Sequence, residues 1–159
     1  MSQNQIVVRR AAAKDIPAMV ELWKEYMEFH RAAGSPYAMK DDGPKRWAES
    51  ASEHIASDKS CVLVAESSGR VIGMAVSHVT RRPPVIKQDR YGTIVDVAVT
   101  ERFRCKGIGQ RLFEETKKWF SDHEINRIEL RVLTSNPTAS AFWRQMGFKP
   151  YIEVRYLNL

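Results

Sequence analysis

The sequence is short of several things, and each shortage removes a class of protein. Its 159 residues hold only two cysteines, Cys61 and Cys105. Two distant cysteines make neither a disulfide framework nor a metal-ligand cluster, and they suit a reducing cytoplasm. No apolar run approaches the ~18 residues that a membrane-spanning helix needs. The opening Met1-Ser2-Gln3-Asn4-Gln5 lacks the charged-then-apolar pattern of a secretory leader, so none is expected. There is no internal repeat and no low-complexity tract. The basic residues form no single block: Arg81-Arg82, Lys87 with Arg90, and Arg102 to Lys106 are separate clusters within a net charge of +6. With no reading helix and no aromatic-studded strand, nucleic acid is an unlikely partner. An anion site near Arg102 to Lys106 and a merely solvated basic surface both remain open.

What is present reads as one soluble globular domain over residues 1–159. Hydrophobic residues make up 43% and charged residues 28%, ordinary values for such a domain. A chain of this size buries roughly two-thirds of its unfolded surface and needs no staples. Residues 6–12 read as a first strand. Asp15 and Pro17 open a helix whose Ile16, Val20, Trp23, Met27 and His30 recur at helical spacing. Residues 37–44 read as a loop broken by Asp41, Asp42, Gly43 and Pro44. A second helix over 45–57 carries Trp47, Ala51 and Ile55 on one face. Strands over 61–65 and 71–80 flank a turn at 67–70, and Gly73 marks a bulge or a close approach. Strand 92–99 is nearly all apolar, as a strand buried on both faces is. A helix over 107–123, a strand over 127–133, a short helix from Asn136-Pro137 to Gly147, and a last strand over 151–157 complete the order. The expected fold is α+β: a mixed, mostly antiparallel sheet of six to seven strands, with a central parallel β-α-β unit over 92–133 and helices on both faces.

The segment that carries chemistry is Arg104-Cys105-Lys106-Gly107-Ile108-Gly109, between strand 92–99 and the helix that follows. A helix N-terminus offers unpaired N–H groups and a partial positive charge. Gly107 and Gly109 admit close approach or positive φ, and Arg104 and Lys106 add full charges. Together they form a cradle for an anion, best a diphosphate. A dinucleotide fingerprint would need a small residue where Leu112 stands, and a P-loop would need Gly-Lys-Ser/Thr.

Ile94-Val95-Asp96-Val97-Ala98-Val99 followed by Arg104-x-x-Gly107-x-Gly109 resembles the acetyl-CoA signature of the GNAT superfamily of N-acetyltransferases. Asn136, Ala139 and Phe142-Trp143-x-x-Met146-Gly147-Phe148 resemble its C-terminal segment, and Ile6 to Ala11 with Asp15 its opening. The resemblance covers nearly the whole chain. It implies acetyl-CoA as co-substrate, with the diphosphate on Arg104 to Gly109 and the pantetheine arm along the backbone of Val97, Ala98 and Val99. It further implies that the N–H of Val97 or Ala98 stabilises the oxyanion. Asn136 matches a pantetheine contact and also reads as a helix cap. Cys105 stands where glycine is common; Arg104 and Lys106 could activate its thiol, and an ordinary loop cysteine is the alternative.

Acetyl transfer requires a neutral amine, and freeing a lysine-like ammonium of its proton at pH 7 costs roughly 4–5 kcal/mol. Asp96 is the candidate base, or else it positions the amine or a neighbouring loop; Glu101 is a second candidate. Many relatives place a tyrosine as acid for the leaving thiolate, but the matching residue is Trp143, which either lines the cofactor site or packs in the core. Tyr91, Tyr151 or solvent could replace that acid. The acceptor that the resemblance implies is a primary amine of a small molecule or a protein. Tyr37, Asp41 and Asp42 suit a cationic acceptor, while Arg81, Arg82, Lys87 and Arg90 suit an acidic one. An acyl-CoA sensor without turnover is the alternative function, and a homodimer is left open.

Overall fold

The computed structural model describes residues 5–159; Met1 to Asn4, on which the expectation about a leader partly rests, lie outside them. The elements in chain order are β1 (Ile6–Arg10), α1 (Ile16–Ala32), α2 (Gly43–Ala56), β2 (Ser60–Ser67), β3 (Arg70–Arg81), β4 (Arg90–Val99), α3 (Ile108–Asp122), β5 (Ile128–Glu129) and α4 (Pro137–Gln145). Short 3-10 turns at Ala13–Asp15 and Glu101–Phe103 precede α1 and α3. Among the described residues the sheet has five strands in the order β1-β2-β3-β4-β5. Its pairs are antiparallel except β4 with β5, which run parallel on either side of α3. Among the described residues no helix is long and apolar enough to cross a membrane.

Period-two alternation divides the core into two layers. Val62 and Val64 of β2, with Met74 and Val76 of β3, pack beneath Met19, Leu22 and Trp23 of α1. Cys61, Leu63 and Ala65 point to the other face, against Ile108 and Leu112 of α3. Helices therefore cover both faces of a mixed sheet, as the sequence pattern indicates.

Several boundaries differ from expectation. The first strand ends at Arg10 because its ladder with β2 ends at Arg10↔Leu63. The Asp15 carboxylate accepts no capping hydrogen bond from α1. It instead takes the Ala12 N–H at 2.8 Å and two hydrogen bonds from Arg9 at 2.8 and 2.9 Å. The inner stripe of α1 is centred on Met19, Leu22 and Trp23, with Val20 only half-buried. Gly43 and Pro44 do not break the chain but begin α2, where proline in the first turn loses no hydrogen bond. The β2–β3 register shifts opposite Ala65 and Glu66. Gly73 sits beside that bulge and is also a close approach: a Cβ there would lie 3.2 Å from the Ala98 carbonyl oxygen.

The strand count needs the largest correction. The strand expected over 127–133 pairs with β4 only at Ile128 and Glu129. The strand expected over 151–157 does not form within the chain; Ile152, Val154 and Tyr156 are 71%, 73% and 84% exposed. Both stretches have strand-like composition, but a strand exists only where a partner ladder satisfies its backbone.

Gly92 is where α3 closes on the sheet. A Cβ at this position would lie 2.6 Å from ring carbons of the fully buried Phe120. Gly92→Ala is expected to lower stability by about 1–3 kcal/mol, the usual cost of overpacking; an unchanged urea midpoint would show that Phe120 moves without cost.

Candidate acyl-CoA site

β4 carries a bulge at Val95. Val76 faces Asp96 across the ladder and the adjacent Ser77 faces Ile94, so Val95 has no partner and is 44% exposed. In a regular strand Ile94 and Asp96, two apart, would share a face. The extra residue separates them. Ile94 packs with Phe113 and Phe120 under α3, while Asp96 turns toward α2 and accepts the Trp47 indole N–H at 3.1 Å.

The bulge also resets which amides point outward. The Gly92 N–H donates to the Arg127 carbonyl at 2.8 Å, toward β5. Beyond the bulge, the Thr100 N–H donates to Ile72 of β3 at 2.9 Å. Donors alternate along an antiparallel strand. Ala98 therefore shares the direction of Thr100, and the N–H groups of Val97 and Val99 point to the β5 side. Of the two oxyanion candidates, Val97 has the outward amide.

That outward edge is open. β5 pairs with β4 only at Gly92↔Ile128 and Thr93↔Glu129. From Ile94 to Val99 the edge of β4 has no strand beside it among the described residues and can accept an extended arm as an added strand. One outward carbonyl is already taken: the Arg104 Nε donates to Val99 O at 2.9 Å.

The open edge leads into the glycine loop. Cys105 and Gly107 have φ of 58° and 77°, and Gly107 is the N-terminal flanking residue of α3 with no side-chain cap. The first backbone bond of the helix is Arg111 N–H to Gly107 O at 3.0 Å. The amides from Cys105 to Gln110 meet no acceptor among the described residues. Nothing lies within 4 Å of a Cβ built on Gly107. Unsatisfied donors, a helix N-terminus and open space together fit a diphosphate. Gly107 is needed for its positive φ. Gly109 is helical, and a Cβ there would make only an ordinary contact with the Phe142 ring of α4, 3.4 Å away.

Arg104 is placed differently from the sequence expectation. Its guanidinium does not lie free beside the loop but pairs with Glu25 of α1 at 3.0 Å. Glu25 also accepts from the Thr100 hydroxyl at 3.1 Å and the Glu101 amide at 2.7 Å. It thus clamps the loop to α1, and sequence reasoning missed it. Its half-buried place on α1, among exposed charged neighbours, leaves no mark in the hydrophobic periodicity. Lys106 remains exposed, with its ammonium 5.2 Å from the Phe103 ring.

Asp96 is 8% exposed. Burial pushes its carboxyl above the ordinary carboxylate range, opposed by the Trp47 hydrogen bond and by the nearby His30 and His54. Trp47 stacks on Trp23 with ring centroids 5.6 Å apart, and Tyr26, whose hydroxyl is raised by burial and by Asp96, completes the wall. Trp47 and Tyr26 were also missed, because nothing local ties α1 and α2 to residue 96.

Asn136 caps α4, its Oδ1 accepting from the Ala139 N–H at 3.0 Å, and is 4% exposed. Trp143 packs edge-on against Phe113 and Phe148, centroids 5.8 and 5.3 Å away. Tyr91 precedes Val97 on β4 by about 20 Å of strand, and its ring lies under Arg82. Tyr151 lies beside Arg127, at that same distant end. Glu101 is exposed on the loop, its amide held by Glu25.

Known proteins share this chain's fold and part of its sequence. The model of the acetyltransferase (GNAT) family matches residues 16–148, and the chain belongs to that family. An N-alpha-acetyltransferase of Sulfurisphaera tokodaii is 29% identical over 114 residues, covering 67% of this chain and 65% of that protein, so the match spans just under two-thirds of the relative's length. A mutant of the BH1408 protein from Bacillus halodurans superposes with a TM-score of 0.84 at 26% identity, over 96% of this chain and 99% of that one. A predicted acetyltransferase from Clostridium acetobutylicum, solved with acetyl-CoA, superposes with a TM-score of 0.80 at 20% identity, over 97% and 96% of the two chains.

The buried carboxyl has a consequence for stability. Its pKa is raised on folding, so the native state binds the proton more tightly than the unfolded chain. Stability is then lost as pH rises above the ordinary carboxylate range and the group ionises. Asn at this position can still accept from Trp47 but carries no charge. Asp96→Asn is expected to melt higher than the wild type at pH 7, by about 2–4 °C for each kcal/mol relieved. The gap should close toward pH 4, and thermal melts across that range check it; a lower melting temperature at pH 7 contradicts the assignment.

Proposed function

We propose that this chain is an acetyl-CoA-dependent N-acetyltransferase acting on a primary amine of a small molecule or a protein, by direct attack on the thioester, in the cytoplasm. The observation that carries the reading is the open edge of β4, which presents the Val97 amide and ends in the uncapped amides of Cys105 to Gln110. Acetyl-CoA, when bound, supplies the acetyl group as a thioester.

The chain's own groups divide the work. The amides from Cys105 to Gln110, with Lys106, hold the diphosphate; Gly107 provides the turn. Val97 and Val99 offer outward N–H groups to the arm. Asp96, desolvated and therefore more basic, takes a proton from the ammonium through water. The amine lone pair forms the new C–N bond, and the Val97 N–H donates to the carbonyl oxygen as charge develops there. The nitrogen, now carrying one proton too many, gives it up to solvent, and the C–S bond breaks with its electron pair on sulfur. A thiolate of pKa about 8.5 leaves adequately and takes its proton from solvent, consistent with the packing of Trp143 and the distance of Tyr91 and Tyr151. The name N-alpha-acetyltransferase borne by the Sulfurisphaera tokodaii relative supports a peptide α-amine as one acceptor class.

The test is release of free thiol from acetyl-CoA on a panel of peptide N-termini and small amines. Asp96→Asn is expected to lose at least about 100-fold in kcat while still binding CoA, and the deficit should shrink at high pH, where the amine is already neutral. Gly107→Glu is expected to abolish CoA binding in a folded protein. Tight CoA binding with no thiol released for any amine would favour an acyl-CoA sensor, and unchanged affinity in Gly107→Glu would remove the loop assignment.

A further inference from the structure

An arm lying along Val97 to Val99 fills the C-terminal half of the β4 edge, so an acceptor amine reaches Val97 from the N-terminal half. On the α3 side that half is filled: Ile94 packs with Phe113 and Phe120, and Trp143 and Phe148 join them. The approach therefore runs over the opposite face of the sheet, the one that carries Asp96.

That face is free of helix before Asp96. The apolar cluster beneath α1 takes Ala98 from β4 and nothing earlier in the strand. Thr93 stands opposite His78 of β3 and Glu129 of β5, and cross-strand partners share a face. Gly92 and Ile94 turn to Phe120 under α3, so Thr93, His78 and Glu129 lie on the side of Asp96. Val95 is exposed between Thr93 and Asp96. His54 of α2 stacks on His78, ring centroids 5.2 Å apart, and walls the β3 side. A trough of strand floor thus runs from Asp96 down to Glu129.

The far end of the trough is cationic. Arg82 and Arg127 both donate to the same oxygen of Glu129, Oε1, Arg127 from its Nε at 2.7 Å. Each guanidinium spends a single donor on a side chain among the described residues and keeps its others. One carboxylate between two guanidinium groups leaves a positive excess. Arg82 and Glu129 are only 19% and 21% exposed, and Arg82 lies over the Tyr91 ring, 4.2 Å from its centroid. Charge in such a place is screened less than charge on the open surface. Arg131, two residues beyond Glu129, is exposed and adds a further cation.

We infer that the acceptor is a peptide N-terminus with an acidic third residue, its α-amine at Asp96 and its side-chain carboxylate on Arg82 and Arg127. The inference rests on the acetyl-transfer reading for the place of the amine and goes beyond it in the chemistry of the acceptor. Thr93 precedes Asp96 by three residues, roughly 10 Å of strand. In an extended peptide the third residue stands roughly 7 Å from the first, and its side chain spans the rest. Guanidinium groups with unspent donors suit a carboxylate, which they hold by charge-assisted hydrogen bonds. A lysine at the same place, or a polycationic small amine, meets like charge.

Peptides that differ only in the third residue, aspartate, asparagine or lysine, test it by two readouts. One is kcat/KM from thiol release; the other is equilibrium binding to the full chain with CoA in place of acetyl-CoA. Both are expected to rank aspartate over asparagine over lysine, with about 10-fold or more between aspartate and asparagine, narrowing as salt is added. Arg127→Gln should bring the aspartate-to-asparagine ratio toward one. Glu129→Gln should raise that ratio, a gain that loss of structure cannot produce. Ranked binding without thiol release from any peptide would remove the acetyl-transfer reading and leave the acidic site standing. Turnover with equal ratios, a preference for lysine, no binding of any peptide at millimolar concentration, or a ratio unmoved by both variants would each overturn the inference.

Discussion

One unpaired residue, Val95, governs the geometry on which the rest depends. A β-strand fixes two alternations at once: the side chains between faces and the amides between neighbours. An extra residue reverses both beyond the point of insertion. In β4 this moves Asp96 out of the α3 layer to the side of Trp47, and it turns the Val97 amide outward to the unpaired edge. Without the bulge the carboxylate would share the side of Ile94, under Phe113 and Phe120, and Ala98 rather than Val97 would present the amide.

The same strand ends in a loop held from elsewhere. Glu25 reaches from α1 to Arg104, Thr100 and the Glu101 amide, so the conformation that leaves the amides of Cys105 to Gln110 free is set from a distant helix. The arrangement separates charge from shape. Arg104 spends its charge on Glu25 and the Val99 carbonyl, while the helix N-terminus, the amides and Lys106 supply the attraction for an anion. α1 and α2 therefore both serve the C-terminal half of β4, closing over Asp96 through Tyr26 and Trp47 and anchoring the loop through Glu25.

Much of this was legible in the residues. The apolar run at 92–99, the glycine loop and the helix after it predict a strand–loop–helix anion site, because Gly107 and the α3 N-terminus follow from local backbone preferences. Asn136 before Pro137 predicts the α4 cap for the same reason. The helix-like periodicities of α1 and α3 were clear, although the inner stripe of α1 turns toward Met19 and Leu22. The short β5 and the unpaired tail were not legible. Their composition is that of strands, yet strand formation depends on a neighbour, and a sequence does not say which segments become neighbours.

By itself, then, the sequence determined the class of fold, the glycine loop and the family signature, all of which rest on contacts within a few residues. Only the tertiary structure decided that Asp96 faces α2, that Val97 rather than Ala98 turns its amide outward, that Arg104 is bound to Glu25, and that Trp143 packs against Phe113. Each of those depends on a ladder register or on a meeting of helices far apart in the chain. A register shift of one residue changes no local preference, but it exchanges the two faces of a strand.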